Sequence, residues 1–186
     1  MAHFSRLDVL NTMIDTGLVP LYYKPQLEVA KKIVNACAEG GARVIEYTNR
    51  GDMAPFVFAE LLQYATRELP NIILGAGTII DPHTAALYMA YGANFIVGPN
   101  LNREVALLCN RRKIPYFPGC ATPTEICEAE TLGVEIVKLS HPHRLTDRSS
   151  SNLFWNPAPG HALCQREASR RPRIISPPGS EQASVV

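Results

Sequence analysis

Apolar positions recur along this chain with two alternating periods, one of helices and one of strands. From Phe4 to Asp15 they fall at helical spacing, with Phe4, Leu7, Leu10 and Ile14 on one side and Gly17 as the stop. Leu18 to Tyr23 is then a compact apolar run of strand length. Helical spacing returns in Leu27, Ala30, Ile33, Val34 and Cys37 and ends at Gly40-Gly41. Arg43 to Thr48 reads as the second strand, and Met53 to Leu69 as a helix with Phe56, Val57, Leu61, Tyr64 and Ala65 toward the core. Asn71 to Gly75 is the third strand, followed by Asp81-Pro82, an N-cap residue with proline at the first helical position. Phe95 to Val97, a helix marked by Val105, Leu108 and Cys109, and Pro115 to Phe117 continue the series. Thr122-Pro123-Thr124-Glu125 forms a capping box with proline inside it, and opens a helix running to about Leu132. Val134 to Leu139, bounded by Gly133, is the sixth strand.

One strand and one helix every twenty to thirty residues or so is the spacing of βα repeats. Two architectures suit it, an open doubly wound sheet and a (β/α)₈ barrel. The dinucleotide-binding fingerprint fails, because Gly75-Ala76-Gly77 is followed by Ile80 where the third glycine belongs. Polar residues at the ends of several strands favour the barrel, whose chemistry sits at the C-terminal rim. The fold class expected is therefore α/β, a (β/α)₈ TIM-barrel type that is incomplete. About six βα units are present and the last two are absent.

Composition changes that picture at one place. Of 186 residues 46% are hydrophobic and 19% charged, which suits a globular domain with a substantial core. A net charge of +1 gives no reason to expect nucleic acid or an acidic membrane as partner. The five cysteines are an odd number without a C-x-x-C pair, which favours free thiols in a reducing cytoplasm. No secretion signal and no membrane-length apolar run is read from the sequence. From Ser140 onward, however, lysine disappears while Arg144, Arg148, Arg166, Arg170, Arg171 and Arg173 enter, with prolines from Pro142 to Pro178. Only Ile174-Ile175 hints at a strand there. Residues 1–139 thus read as a partial barrel and residues 140–186 as a disordered tail, too poor in apolar surface to offset its ordering entropy.

The polar residues within the apolar strands are the candidates for chemistry. Lys138 alternates with Val134 and Ile136 and so lies on an apolar face. A desolvated lysine can shed its charge and attack a carbonyl; the competing reading is a strand-end lysine that snorkels to solvent. Glu46 shares its face with Val44 and Thr48, and Arg50 follows if the strand geometry persists. Carboxylate and guanidinium would pair acid/base work with an anion clamp, or form an ordinary surface ion pair. Gly77-Thr78 offers a hydroxyl and open backbone N–H groups, an anion site or a plain strand-to-loop turn. His141 and His143 flank Pro142 without a third ligand, so no metal site is expected.

Glu46-x-Thr48-x-Arg50, Gly75-Ala76-Gly77-Thr78, Val97-Gly98-Pro99, Pro118-Gly119 and Val137-Lys138 fall in that order at successive strand ends. The series resembles the 2-keto-3-deoxy-6-phosphogluconate (KDPG) / 4-hydroxy-2-oxoglutarate (KHG) aldolase family, class I aldolases on a (β/α)₈ barrel. It covers the chain from the first helix to Leu139, about three-quarters of its length. The resemblance implies a lyase that cleaves a 2-keto-4-hydroxy acid to pyruvate and an aldehyde. Lys138 would be its Schiff-base lysine and Glu46 its general acid/base, with Arg50 and Thr78 holding the carboxylate. It further implies no cofactor, a homotrimer, a cytoplasmic location and a place in carbohydrate metabolism of the Entner-Doudoroff type. The chain departs from the family after Leu139, where Ser140-His141-Pro142 stands in place of a Phe-Pro dipeptide, and the later glycine-rich phosphate loop and Gly-Gly-Ser turn find no match. So abrupt a change reads as an out-of-frame end of the gene. A barrel left open at its first and sixth strands would be poorly stable, and its catalysis weak or absent. The alternatives are a non-catalytic aldolase remnant and a barrel-like binding protein with a basic tail.

Overall fold

Strand and helix alternate through the first three-quarters of the chain, as the apolar spacing predicts. The computed structural model describes residues 2–139, 152–155 and 162–167. Helix α1 (Arg6–Thr16) leads into β1 (Leu18–Tyr22), α2 (Leu27–Glu39), β2 (Val44–Thr48), α3 (Ala54–Glu68) and β3 (Ile73–Gly77). Then come α4 (Pro82–Tyr91), β4 (Ile96–Val97), α5 (Arg103–Arg112), β5 (Tyr116–Phe117), β6 (Gly119–Cys120), α6 (Pro123–Thr131) and β7 (Val137–Leu139). Strands β8 (Asn152–Trp155) and β9 (Ala162–Glu167) complete the order.

Local chemistry sets the helix ends. Ser5 caps α1 in a reciprocal box with Asp8, and Gly17 ends it in the left-handed conformation at φ 66°. The Asp81 carboxylate accepts from the backbone N–H groups of His83 and Thr84 to start α4. The capping box read from Thr122 and Glu125 is present at α6, and its N–H donors hold the Glu125 carboxyl below the ordinary range. The Asn102 side chain caps α5 in the same manner as Asp81.

The sheet order is β5-β4-β3-β2-β1-β9-β8-β7-β6. Its two outer members are halves of one stretch, split at Pro118, which has no N–H to give a ladder. Phe117 accepts from Gly98 on the β4 side, at 3.1 Å, whereas Pro118 accepts from Lys138 on the β7 side, at 2.8 Å. The order therefore returns on itself, and the strands form a ring. From β1 to β7 all strand pairings are parallel.

The rest of the ring differs from the sequence expectation. Open edges were expected on the first and sixth strands, but β1 pairs in parallel with β9, and β7 pairs antiparallel with β8. Strands β8 and β9 pair antiparallel with each other, so a hairpin stands where two further βα units would. A strand edge gains most by taking a partner, and even an arginine-rich segment supplies backbone donors and acceptors for it. Ile174-Ile175 lies outside the described residues, as do His141, His143 and most of 140–186.

Burial divides the ring into an inner and an outer layer. Val19, Val44, Ile73, Phe95, Val97, Phe117 and Ile136 face inward, where they pack with Val9, Leu10 and Met13 of α1. Helix α1 thereby plugs the end at which the parallel strands begin. Ile45, Tyr47, Leu74, Ala76, Ile96, Tyr116 and Val137 face outward beneath the helices. Arg6 locks the plug, with its Nε and Nη2 donating to the Glu135 carboxylate at 2.8 Å and Nη1 donating to Asn110 at 2.9 Å. The Asn94 side chain, 2% exposed, accepts from the N–H groups of His3 and Phe4 and donates to the Leu74 carbonyl. Two expected core positions are exposed, Leu7 at 69% and Phe56 at 57%. Helix α3 turns Phe58 inward in place of Phe56, beside the expected Leu61 and Ala65, because its packing stripe begins at Ala54. Val134 belongs to the outer cluster, since the strand begins only at Val137 and alternation does not reach back to it.

Candidate active site

Among the described residues, Glu46 is the buried charged side chain of the barrel strands. It lies in the middle of β2, paired in register with Leu21 of β1 and Gly75 of β3, and is 1% exposed. Val44 of the same strand faces inward and Ile45 and Tyr47 outward, so alternation sets Glu46 and Thr48 on the inner face. A Cβ at Gly77 would overlap the Glu46 carboxylate. The missing side chain of Gly77 is thus the seat of the carboxylate. Sequence reasoning treated Gly77 only as part of an anion-binding turn; the usable signal was the parallel register, which pairs Thr48 with Gly77.

Glycines open the upper half of the ring while aromatic residues fill the lower half. The Phe95 ring lies where a Cβ of Gly75 would stand, and Phe95 and Phe117 pack with centroids 5.7 Å apart. Above that floor the inward positions include Glu46, Thr48 and Gly77 on β2 and β3 and Gly119 on β6. Thr48 is 1% exposed and donates its hydroxyl to the Tyr22 carbonyl at 3.3 Å.

Lys138 stands on the far side of the ring. Ile136 packs inward and Val137 outward, so Lys138 returns to the inner face as the sequence predicts, and its residue is half-buried. It pairs in register with Gly119 on β6 and with residue 154 of β8. Going around the sheet order, β2 and β7 are four strands apart in either direction. An eight-staved ring is just wide enough for side chains to fill it, so long side chains from opposite staves share one space at its axis.

Arg50 reaches the rim by a different route from the one expected. Strand β2 ends at Thr48, and the Arg50 N–H donates to the Thr48 carbonyl at 3.0 Å. The chain turns there, so alternation no longer governs Arg50, and its exposure reflects this. Thr78 follows β3 directly, half-buried and with φ 62°. A β-branched residue in the left-handed region costs on the order of 1–3 kcal/mol and persists only where its surroundings impose it. They do so on both sides. The Gly77 carbonyl accepts from the Asn49 N–H at 2.7 Å, and the Ile79 N–H donates to Val97 at 3.1 Å. Glu46, Arg50 and Thr78 are therefore gathered at the adjoining ends of β2 and β3, with Lys138 across the ring.

Burial keeps several phenol and thiol groups of the barrel neutral. Burial raises the Tyr22, Tyr47 and Tyr88 hydroxyls well above the ordinary phenol range, which leaves them protonated donors. Burial also pushes the Cys120 thiol up to about 11, so it is no thiolate at neutral pH. Among the described residues no group of three or more His, Cys, Asp or Glu side chains is placed to hold a metal ion. None of the described helices is long and apolar enough to cross a membrane.

Fold and site together define an α/β barrel protein whose buried Glu46 and Thr48 lie toward the C-terminal end of one of its parallel strands. The chain belongs to the KDPG and KHG aldolase family, whose model matches residues 9–144. It is 33% identical over 121 residues to the 2-dehydro-3-deoxy-phosphogluconate aldolase of Treponema pallidum, a match covering 65% of this chain and 56% of that protein. It is 30% identical over 128 residues to the KHG/KDPG aldolase of Escherichia coli, covering 68% and 58% respectively. Among solved structures, a KDPG aldolase from Legionella pneumophila, with pyruvate captured as a covalent carbinolamine, matches at 28% identity with a TM-score of 0.60, over 67% of this chain and 58% of that one. The chain thus spans somewhat over half the length of these relatives.

Proposed function

We propose that the site is that of a class I aldolase, acting on a 2-keto-4-hydroxy acid through a Schiff base on Lys138. The single observation that supports this reading is the nearly fully buried Glu46 carboxylate, seated against Gly77 on a strand four staves across the ring from that of Lys138. In its neutral form the Lys138 amine adds to the C2 carbonyl to give a carbinolamine, which loses water to form the iminium. Glu46 takes the proton of the C4 hydroxyl as the C3–C4 bond breaks, and the bond's electron pair flows to nitrogen. An aldehyde leaves and an enamine remains. Protonation at C3 and addition of water then release pyruvate and restore the amine. Arg50 and Thr78 hold the substrate carboxylate by a charge-assisted and a neutral hydrogen bond.

The Legionella relative carries pyruvate covalently as a carbinolamine, which supports the same first step here. KDPG and KHG are the substrate candidates that the family supplies. A homotrimer, a cytoplasmic setting and service in the Entner-Doudoroff route belong to the same proposal. Lys138, Glu46, Arg50 and Thr78 all precede residue 140. We therefore expect the half-reaction with pyruvate to survive the departure from the family, while full cleavage runs slowly. The test is proton exchange: in deuterated buffer the purified chain should replace the methyl protons of pyruvate through reversible enamine formation. Exchange no faster than in protein-free buffer would remove the aldolase reading.

A further inference from the structure

Arg50 sits in a turn outside any strand, yet the residues on both sides of it are pinned to aromatic side chains. On one side Asn49 accepts, through its side-chain Oδ1, from the Tyr88 hydroxyl at 3.0 Å. Its backbone N–H donates to Gly77 at 2.7 Å, tying the turn to the residue that precedes Thr78. On the other side Gly51 lies against Tyr23, and a Cβ there would overlap the Tyr23 hydroxyl. The Gly51 carbonyl in turn accepts from the Ala54 N–H at 2.9 Å, which anchors the turn to the start of α3. Tyr23 and Tyr88 are the two ends of one aromatic row. Tyr23 packs on Tyr47 at 5.8 Å, Tyr47 on Phe58 at 6.2 Å, and Phe58 on Tyr88 at 5.1 Å between centroids. Tyr47 and Phe58 are fully buried, as is Tyr88, and the Tyr47 hydroxyl is itself held by the Lys24 carbonyl at 2.9 Å.

We propose that this row, acting through Tyr88 with Asn49 and through Tyr23 with Gly51, positions Arg50 beside Thr78 and so sets the affinity of the site for the keto-acid carboxylate. The inference rests on the aldolase reading, since it takes the carboxylate as the anion that Arg50 meets. Its physical content is pre-organisation. A guanidinium on a mobile turn loses conformational freedom when it binds an anion, and a turn already fixed avoids most of that loss. Burial keeps the Tyr88 hydroxyl protonated, so it remains a donor and Asn49 remains the acceptor across the range in which the enzyme would work. Tyr88 and Tyr23 touch no reacting atom in this account. They are positioning residues, and they come from different places in the fold, α4 and the residue that follows β1.

The test compares the chain with its Tyr88→Phe, Asn49→Ala and doubly substituted variants, using pyruvate as the probe and borohydride to fix the Schiff base. Loss of one net hydrogen bond corresponds to a rise of about three- to tenfold in the pyruvate concentration that half-saturates trapping. The yield at saturation should stay unchanged, because Lys138 and Glu46 are untouched. The double variant should do no worse than the more severe single one, since both remove the same bond. A loss of packing alone would lower yield and stability together and leave half-saturation where it was. An unchanged half-saturating concentration in folded Tyr88→Phe overturns the proposal. If the unsubstituted chain traps no pyruvate, the aldolase reading fails by itself, and amide exchange then decides about the row. Exchange at residues 49–51 that quickens in Tyr88→Phe, with the strands unaffected, upholds it; exchange that does not change overturns it.

Discussion

Replacing Lys138 by alanine should eliminate deuterium exchange into the pyruvate methyl group, a loss of at least about four orders of magnitude relative to the unsubstituted chain. The reason is that no other group can take over. Enamine formation needs an amine bonded to C2, and no other lysine occupies an inward strand position among the described residues. Cys120 is not a substitute: it points to the outer layer and its thiol is held protonated by burial. The fold should tolerate the change, because Lys138 contributes its backbone to the ladder with Pro118 and Gly119 while its residue is only half-buried. Circular dichroism and the urea midpoint of the variant should therefore stay close to those of the parent. Exchange that persists in folded Lys138→Ala would mean that another nucleophile, or none, does the work.

The second large effect is expected from Glu46→Gln, which keeps the volume and removes the base. Methyl exchange should slow by about 10²–10⁴-fold, the usual contribution of a positioned general acid/base. The borohydride adduct should still form, since Schiff-base formation relies on the Lys138 amine. That split separates the role of Glu46 from that of Lys138. It also separates chemistry from collapse. The amide of glutamine fits the seat left by Gly77, so a variant that folds, forms the adduct and exchanges slowly has lost only proton transfer. Equal loss of adduct and exchange would assign Glu46 to a structural role.

Much of this site could be read from the chain because it depends on short-range rules. Alternation along a strand put Glu46 with Val44 and Thr48, and Lys138 with Ile136 and Val134; the packed structure keeps these except Val134, which joins the outer cluster. The caps read at Asp81 and Thr122 place two helix starts from side chains two or three residues away, and Ser5 and Asn102, not singled out in the sequence, do the same. The misses have longer reach. Alternation was carried past Thr48 to Arg50, but the chain turns at Asn49, and the ends of β3 and α4 hold that turn. The value of Gly77 depends on which residue of β2 lies beside it, and that is a matter of register between strands. Phe56 and Phe58 are interchangeable by composition; only the angle at which α3 meets the sheet decides which one is buried. Strands β8 and β9 escaped notice for a related reason. Their sequence carries little apolar alternation, and what places them is the pairing demand of two edges more than a dozen residues away in the chain.

The ring also explains why a family match that ends at residue 144 leaves a site worth testing. The four residues assigned to keto-acid chemistry stand on β2, β3 and β7 or in the turns just after them. The antiparallel hairpin replaces parallel staves, so β8 runs toward the plugged end and not toward the rim. The contribution expected to suffer is the recognition of the distal half of the substrate, while condensation with pyruvate needs only what the first part of the chain provides.

The most direct measurement is to incubate the purified chain with pyruvate and borohydride, digest it, and locate the added mass by tandem spectrometry. A reduced pyruvyl adduct on the peptide that contains Lys138, and on no other lysine, is the predicted result. An adduct spread over surface lysines, or none at all from folded protein, would contradict the account.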